Sequence, residues 1–289
     1  MSADHSTKRQ NVSPRWLCAA LGLVAVLGAC GLLLARPHGS FYGDWVNHLW
    51  KIAYHEAELR HHASLPVTFN GAPDLGMATP IFYGYLFFPV AGALSLLTGP
   101  DAAIRLLVVA LFALQFALTW RACLRLGGDW RLAAVVACLV SWAIYPLTNL
   151  YNRNALPELF GVGFLTCATL LWFELLDEPS NKKLAWRFGL LVCLAVGTHP
   201  ITGLFGVLFL ALLFACTAGF SSAPALARSL AAPAAATAVV LSGWLYSMVR
   251  LKSQLFISQG SGRWIHYPGI DTLLARLVPY DARMVDGAK

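Results

Sequence analysis

From Trp16 to Ala35 the chain runs for twenty residues without a charge, WLCAALGLVAVLGACGLLLA. As a helix rising about 1.5 Å per residue, this run matches the ~30 Å of hydrocarbon in a bilayer. Apolar runs of the same kind recur at 103–122, 132–150, 159–176, 187–199, 200–219 and 231–250. Composition agrees: 58% of the 289 residues are hydrophobic and 12% are charged, against about 25% in a soluble domain. Mean hydropathy is +0.62. Backbone groups in hydrocarbon must be satisfied within their own segment, which selects helices for such runs. The expected fold class is therefore an all-α polytopic membrane protein with about seven transmembrane helices. Its long first outer loop would carry amphipathic juxtamembrane helices in contact with membrane lipids.

Several local signals place the boundaries. Leu27-Gly28-Ala29-Cys30 has the look of a lipoprotein cleavage box, but the apolar run continues past it to Ala35, so an uncleaved first span is expected. The stretch 187–219 is too long for one crossing. Pro200 lacks a backbone donor and ends a helix, so the stretch divides at Thr198-His199-Pro200. The seven cysteines all lie in or beside apolar runs, and no CxxC occurs. They read as small packing residues.

Charge sets the sidedness. Lys8, Arg9 and Arg15 precede the first span, Arg121, Arg125 and Arg131 share one short connection, and Lys182, Lys183 and Arg187 share another. Lys and Arg beside spans favour the cytoplasm. All three clusters fall on that side only if the apolar segment 81–97, which contains Pro89, does not cross. On this reading 1–15 is a cytoplasmic tail, 16–250 is a seven-span module with 36–102 as its outer loop, and 251–289 is an outer tail. The formal charge of +7 reports topology and anionic headgroups and argues against a nucleic-acid partner.

The outer loop opens with YGDWVNHLWKIAYHEAELRHH, residues 42–62. On a helix, Asp44, His48, Lys51, His55, Glu58 and His62 follow a 4-3-4-3-4 spacing and form one polar stripe. Val46, Leu49, Trp50, Ala53 and Ala57 lie opposite. The expectation is an interfacial helix with its polar stripe in solvent and its apolar side on lipid or the bundle. His48 and His55 could share a metal, but no HExxH or comparable ligand spacing is present, so no metal ligand is assigned. No cofactor is demanded, and a divalent metal is kept as an open alternative.

A second outer loop, NLYNRNALPELF at 149–160, sets Arg153 and Glu158 at the edge of two spans, where ionisable groups are either paired or functional. Arg105 opens the second span, where snorkelling alone would account for it. His199 sits at the 198–200 break. Together Asp44, Glu158, His48, Arg105, Arg153 and His199 suit transfer chemistry on a phosphate-bearing lipid. A carboxylate can take the proton of an acceptor hydroxyl, and cations can stabilise a departing phosphate.

The order of an Asp-His outer loop, GMATPIFYGYLFFPV (76–90), Arg105, YNRNALPELF, GTHPITGL (197–204) and LSGWLYSMV (241–249) resembles a family. It is that of the bacterial membrane proteins labelled 6-pyruvoyl-tetrahydropterin synthase-related, within the polyprenol-dependent C-type (GT-C) glycosyltransferase superfamily. The resemblance covers about residues 16–265, and nothing in the chain is similar to the zinc site of a true pterin synthase. It implies Asp44 as catalytic centre, with Glu158 as the acidic residue of the second outer loop and Arg153 beside it. Relatives often carry Lys-Gly-Pro where this chain has Thr198-His199-Pro200.

The leading expectation is thus a glycosyltransferase of the bacterial inner membrane, N-terminus cytoplasmic, using a polyprenyl-phosphate-linked sugar at the outer face. Asp44, His48 and Glu158 would be catalytic, and Arg105, Arg153 and His199 would bind phosphate. Rival readings are a non-catalytic scaffold, or one half of a split enzyme that binds lipid or a second membrane subunit. A transporter ranks last, because charges deep within the spans and inverted repeats are not evident.

Overall fold

A computed structural model describes residues 14–36, 44–66, 69–70, 76–77, 83–219 and 222–251. The expected cytoplasmic tail up to residue 13 and outer tail from residue 252 lie outside the described residues. The chain divides into a unit of residues 1–247 and a second of 248–289. The described residues are almost entirely helical: α1 (Pro14–Ala35), α2 (Asp44–His62), α3 (Phe87–Thr98), α4 (Pro100–Arg125), α5 (Trp130–Ser141), α6 (Ile144–Tyr151), α7 (Leu156–Asp177), α8 (Lys182–Thr198), α9 (Pro200–Thr217) and α10 (Ala223–Leu251). Between α2 and α3, β1 (Phe69–Asn70) pairs antiparallel with β2 (Gly76–Met77).

Among the described residues, six helical segments are long and apolar enough to cross a membrane: 16–35, 100–125, 130–151, 156–177, 200–217 and 223–250. The protein is accordingly an all-α polytopic membrane protein. The expected seventh crossing, at 187–199, corresponds to α8, whose 17 residues leave it outside that set. α3 has 12 residues, about 18 Å of helix, well short of the hydrocarbon thickness.

Sequence chemistry explains the breaks. Asp129 caps α5 by accepting from the Arg131 and Leu132 amides at 3.0 and 2.8 Å, and Asn181 caps α8 through the Leu184 amide at 3.1 Å. α5 and α6 are two halves of one span, interrupted at Trp142-Ala143 just before Pro146. α8 stops at Thr198 and α9 begins at Pro200, which occupies the first-turn position where a missing N–H costs nothing.

One stripe of carbonyls organises the first half of the bundle. Ala25, Ala29 and Leu33 are spaced by four along α1. Their carbonyls accept, in order, from Trp142 Nε1 at 2.9 Å, the Tyr151 hydroxyl at 2.6 Å, and Arg105 Nη1. Arg105, at the start of α4, also donates from Nε to Asp101 at 2.6 Å. Near the other end of α1, a Cβ on Gly22 would touch the Phe116 ring at 3.0 Å. Helices α1 and α4 therefore run antiparallel, and the segment between them leaves and returns at one end of the bundle. At the opposite end, Arg121 reaches buried Glu174 at 2.5 Å, and Arg125 bridges Glu174 and Glu178 at 3.7 and 3.1 Å. The 126–129 and 178–181 connections and the start of α1 thus share that end.

Packing forms two main cores. Trp45, Ile52, Phe87, Phe88, Phe112 and Leu156 join α2, α3, α4 and α7. Leu171, Trp172, Leu184, Phe188 and Leu226 join α7, α8 and α10. Small residues set the closest approaches. A Cβ on Gly92 would lie 2.5 Å from His55 Cβ, and one on Gly189 would lie 2.5 Å from Pro233 Cβ.

The orientation of α2 corrects the sequence expectation. His48 and His55, on the stripe assigned to solvent, are 2% and 1% exposed, whereas Val46 and Trp50 on the opposite face are 55% and 41% exposed. The stripe turns inward because it meets aromatic rings. His48 and His55 lie 5.7 and 5.9 Å from the Phe88 ring, and Lys51 Nζ lies 5.4 Å above it. Burial of the histidines is tolerable because burial also keeps them neutral.

Candidate functional site

Three helix N-termini meet at the loop-bearing end of the bundle. The first turns of α2, α7 and α9 contribute Asp44, Glu158 and Thr202 to one cavity of about 630 Å³. Arg153, Tyr83, Tyr145 and His199 complete its polar mouth. Val162 and Leu165 from α7, with Ile201, Phe205, Gly206 and Phe209 from α9, form an apolar wall below. Spacings of three or four residues on both helices keep that wall continuous down the α7–α9 contact.

Arg153 is held from two sides. Its Nη1 donates to Asn149 Oδ1 at 2.9 Å and to Glu158 Oε1 at 3.0 Å, and its Nη2 meets Glu158 Oε2 at 3.0 Å. The paired Glu158 carboxylate raises the guanidinium pKa further, so its charge is permanent. Tyr145 also donates its hydroxyl to Glu158 Oε1. Glu158 thus spends most of its acceptor capacity on Arg153 and Tyr145. Tyr145 also hydrogen-bonds the guanidinium, and the Arg153 side chain lines the cavity. The Arg153 side chain is 54% exposed, so the ion pair contributes little stability, and its value is geometric.

Asp44 is the contrasting carboxylate. It is exposed, and its described hydrogen bond is a long one from Asn47 Nδ2, 3.4 Å. Of the two acids in the cavity, Asp44 retains the larger acceptor capacity for a substrate hydroxyl, since Glu158 already accepts from Arg153 and Tyr145.

His199 caps α9. Its Nδ1 lies 3.3 Å from the Thr202 amide, which can only donate, and 2.7 Å from the Thr202 hydroxyl. With Nδ1 accepting, the ring proton resides on Nε2, giving a neutral donor at the cavity wall. The Tyr83 ring stands edge-on to His199 at 5.6 Å. Tyr83 is placed by the turn before α3, where the Leu86 amide donates to the Gly197 carbonyl at 2.9 Å. Burial, reinforced by the charges of Asp44 and Glu158, pushes its phenol up to about 12, so it stays a donor.

Of the six residues singled out from sequence, the cavity brings together Asp44, Glu158, Arg153 and His199. His48 lies behind it, 6.4 Å from the Tyr83 ring. Burial and the nearby Lys51 charge lower its pKa to about 4, opposed by Asp44 and by the Asn154 backbone. The Asn154 backbone comes near the ring without satisfying hydrogen-bond geometry, and neither ring nitrogen makes a well-formed hydrogen bond among the described residues. Arg105 is a correction. It is 9% exposed and committed to Asp101 and the Leu33 carbonyl, away from the cavity. Its place is structural because a guanidinium buried at a span end satisfies itself on the nearest carboxylate and carbonyl.

Sequence reasoning missed Tyr83, Tyr145, Asn149 and Thr202. Only the flanking of Arg153 by Asn149 and Glu158 carried a signal. Among the described residues no group of three or more His, Cys, Asp and Glu side chains is arranged to hold a metal ion. Comparison with family models, curated proteins and solved structures finds no match.

Proposed function

We propose that the protein is a membrane glycosyltransferase of the polyprenol-dependent C-type, transferring a sugar from a polyprenyl phosphate to a hydroxyl acceptor. One observation carries the reading: the cavity is amphipathic along its length. Its mouth offers a fixed cation, neutral donors and two helix N-termini, and its lower wall is apolar and exposed where the bilayer would be. A phosphate-headed lipid matches both halves. The motif order that resembles the family adds to this.

In this mechanism the acceptor hydroxyl gives its proton to Asp44 as its oxygen forms a bond to the sugar anomeric carbon. The bond from that carbon to the phosphate oxygen breaks, and its electron pair leaves with the polyprenyl phosphate. Arg153 and the N-termini of α7 and α9 stabilise the charge that develops there. Tyr83 and His199 Nε2 donate to phosphate or sugar oxygens. Glu158 and Tyr145 position Arg153, and His48 positions Tyr83. The residues present demand no metal for these steps.

The basic end of the bundle, with Arg121, Arg125, Lys182 and the start of α1, is assigned to the cytoplasm. The cavity then faces outside, α8 serves as the seventh crossing, and the membrane is the bacterial inner membrane. Asp44→Asn tests the chemistry. Transfer in purified, folded protein falls at least about a hundredfold, in the range of a lost general base. Full transfer by Asp44→Asn removes the assigned role.

A further inference from the structure

Resting on that reading, we propose that His48 and Asn154 form a positioning contact that ties the helix carrying Asp44 to the loop carrying Arg153. Asp44 and His48 are one turn apart on α2, and Asn154 directly follows Arg153. Asp44, Arg153 and Ala155 all line the cavity, while His48 and Asn154, at 2% and 3% exposure, are buried behind it. Trp45, Leu150 and Leu156 pack in one core there, which brings the start of α2 against this loop. The loop is itself closed, since the Arg153 amide donates to the Thr148 carbonyl and the Ala155 amide to the Asn149 carbonyl, each at 2.9 Å. Asn154 makes the turn between them with a φ of +54°, in the left-handed region that Asn tolerates better than most residues.

Two groups of complementary chemistry meet at this place. Among the described residues, neither His48 nitrogen nor Asn154 Oδ1 has a well-formed hydrogen bond. A polar atom buried without a partner costs free energy, so such atoms in a folded protein call for a role. The Asn154 backbone already lies beside the ring, so the unpaired atoms share one small region. A neutral imidazole offers one donor and one acceptor, and so does a carboxamide. Burial keeps the ring neutral, and a flip of either group exchanges donor and acceptor at fixed shape, so the two side chains are matched for pairing. The consequence is mechanical. The acceptor hydroxyl meets Asp44 while the departing phosphate meets Arg153, and these groups stand on segments far apart in sequence. A contact between their immediate neighbours fixes the spacing of base and cation, on which the transfer rate depends steeply. Asn149 and Glu158 aim the Arg153 side chain, whereas His48 and Asn154 set where its backbone sits.

The test is a double-variant cycle on the full chain in detergent. Asn154→Gly removes the carboxamide and keeps the left-handed backbone, and His48→Phe removes the ring nitrogens and keeps the aromatic packing. Transfer from a polyprenyl-phosphate-linked sugar and thermal unfolding are measured on the same samples. Each single variant is expected to lower kcat by about ten- to a hundredfold, with KM for the lipid donor changed by less than about threefold, and the double variant matches the singles. The Tm of the double variant likewise falls no further than that of the worse single variant. His48→Gln, which returns a donor, keeps more activity than His48→Phe only while Asn154 is present. Losses that multiply in the double variant, in kcat or in Tm, overturn the contact. An unchanged kcat in either single variant, or a loss confined to KM, overturns the positioning role. If the unsubstituted protein transfers nothing, the proposed function fails, and the Tm cycle still decides whether the contact exists.

Discussion

The buried histidine behind the cavity makes a quantitative prediction about acid. His48 is 2% exposed, and its pKa is lowered from 6.5 to about 4 by burial and by Lys51. The groups that face it are Lys51 and Asp44 on its own helix, Tyr83 before α3 and the Asn154 backbone before α7. A depressed histidine pKa means that the unfolded chain binds the proton first. Stability is complete above about pH 6.5 and falls as pH drops toward 4. The whole depression corresponds to roughly 3 kcal/mol, and about 2 kcal/mol is already lost at about pH 5. His55, also lowered by burial, acts in the same direction. The perturbation is His48→Phe, which keeps the aromatic contact with Phe88 and removes the proton site. Unfolding in a mild detergent is followed at neutral pH and at about pH 5. The wild type loses more stability than His48→Phe, by about 2 kcal/mol. Equal losses in the two proteins would refute the placement of His48 as a buried neutral ring.

Two further outcomes test the scaffold. Arg105→Ala removes the ion pair with Asp101 and the hydrogen bond to the Leu33 carbonyl, so it lowers stability by about 1.5–3 kcal/mol while phosphate-lipid affinity of the folded fraction is unchanged; thermal unfolding and ligand titration read the two effects separately. Gly92→Leu forces α2 and α3 apart at His55, costing at least about 1–3 kcal/mol, and it reduces transfer because α2 carries Asp44.

What the sequence revealed followed from local chemistry. Pro200 marked the α8–α9 break. Arg153 and Glu158 pair because both lie within one short connection and the next helical turn. The histidine stripe was legible as a stripe, but periodicity alone does not say which face turns inward. That depended on Phe88 and Gly92 of α3, distant in sequence, which supply rings and a close approach. Tyr83 and Tyr145 gave no signal, since an aromatic residue in an apolar segment reads as packing until its neighbours are known. Arg105 could have been read better. Asp101 stands four residues before it on the same helix, the spacing of an intrahelical ion pair.

The central claim is that the cavity holds the phosphate of a lipid beside Arg153. Native mass spectrometry of the detergent-purified protein tests it most directly, alongside Arg153→Ala as the comparison. The account predicts a co-purified polyprenyl phosphate, with or without a sugar, on the wild type and its loss from Arg153→Ala with the fold retained. Only ordinary phospholipids, equally abundant on both proteins, would contradict it.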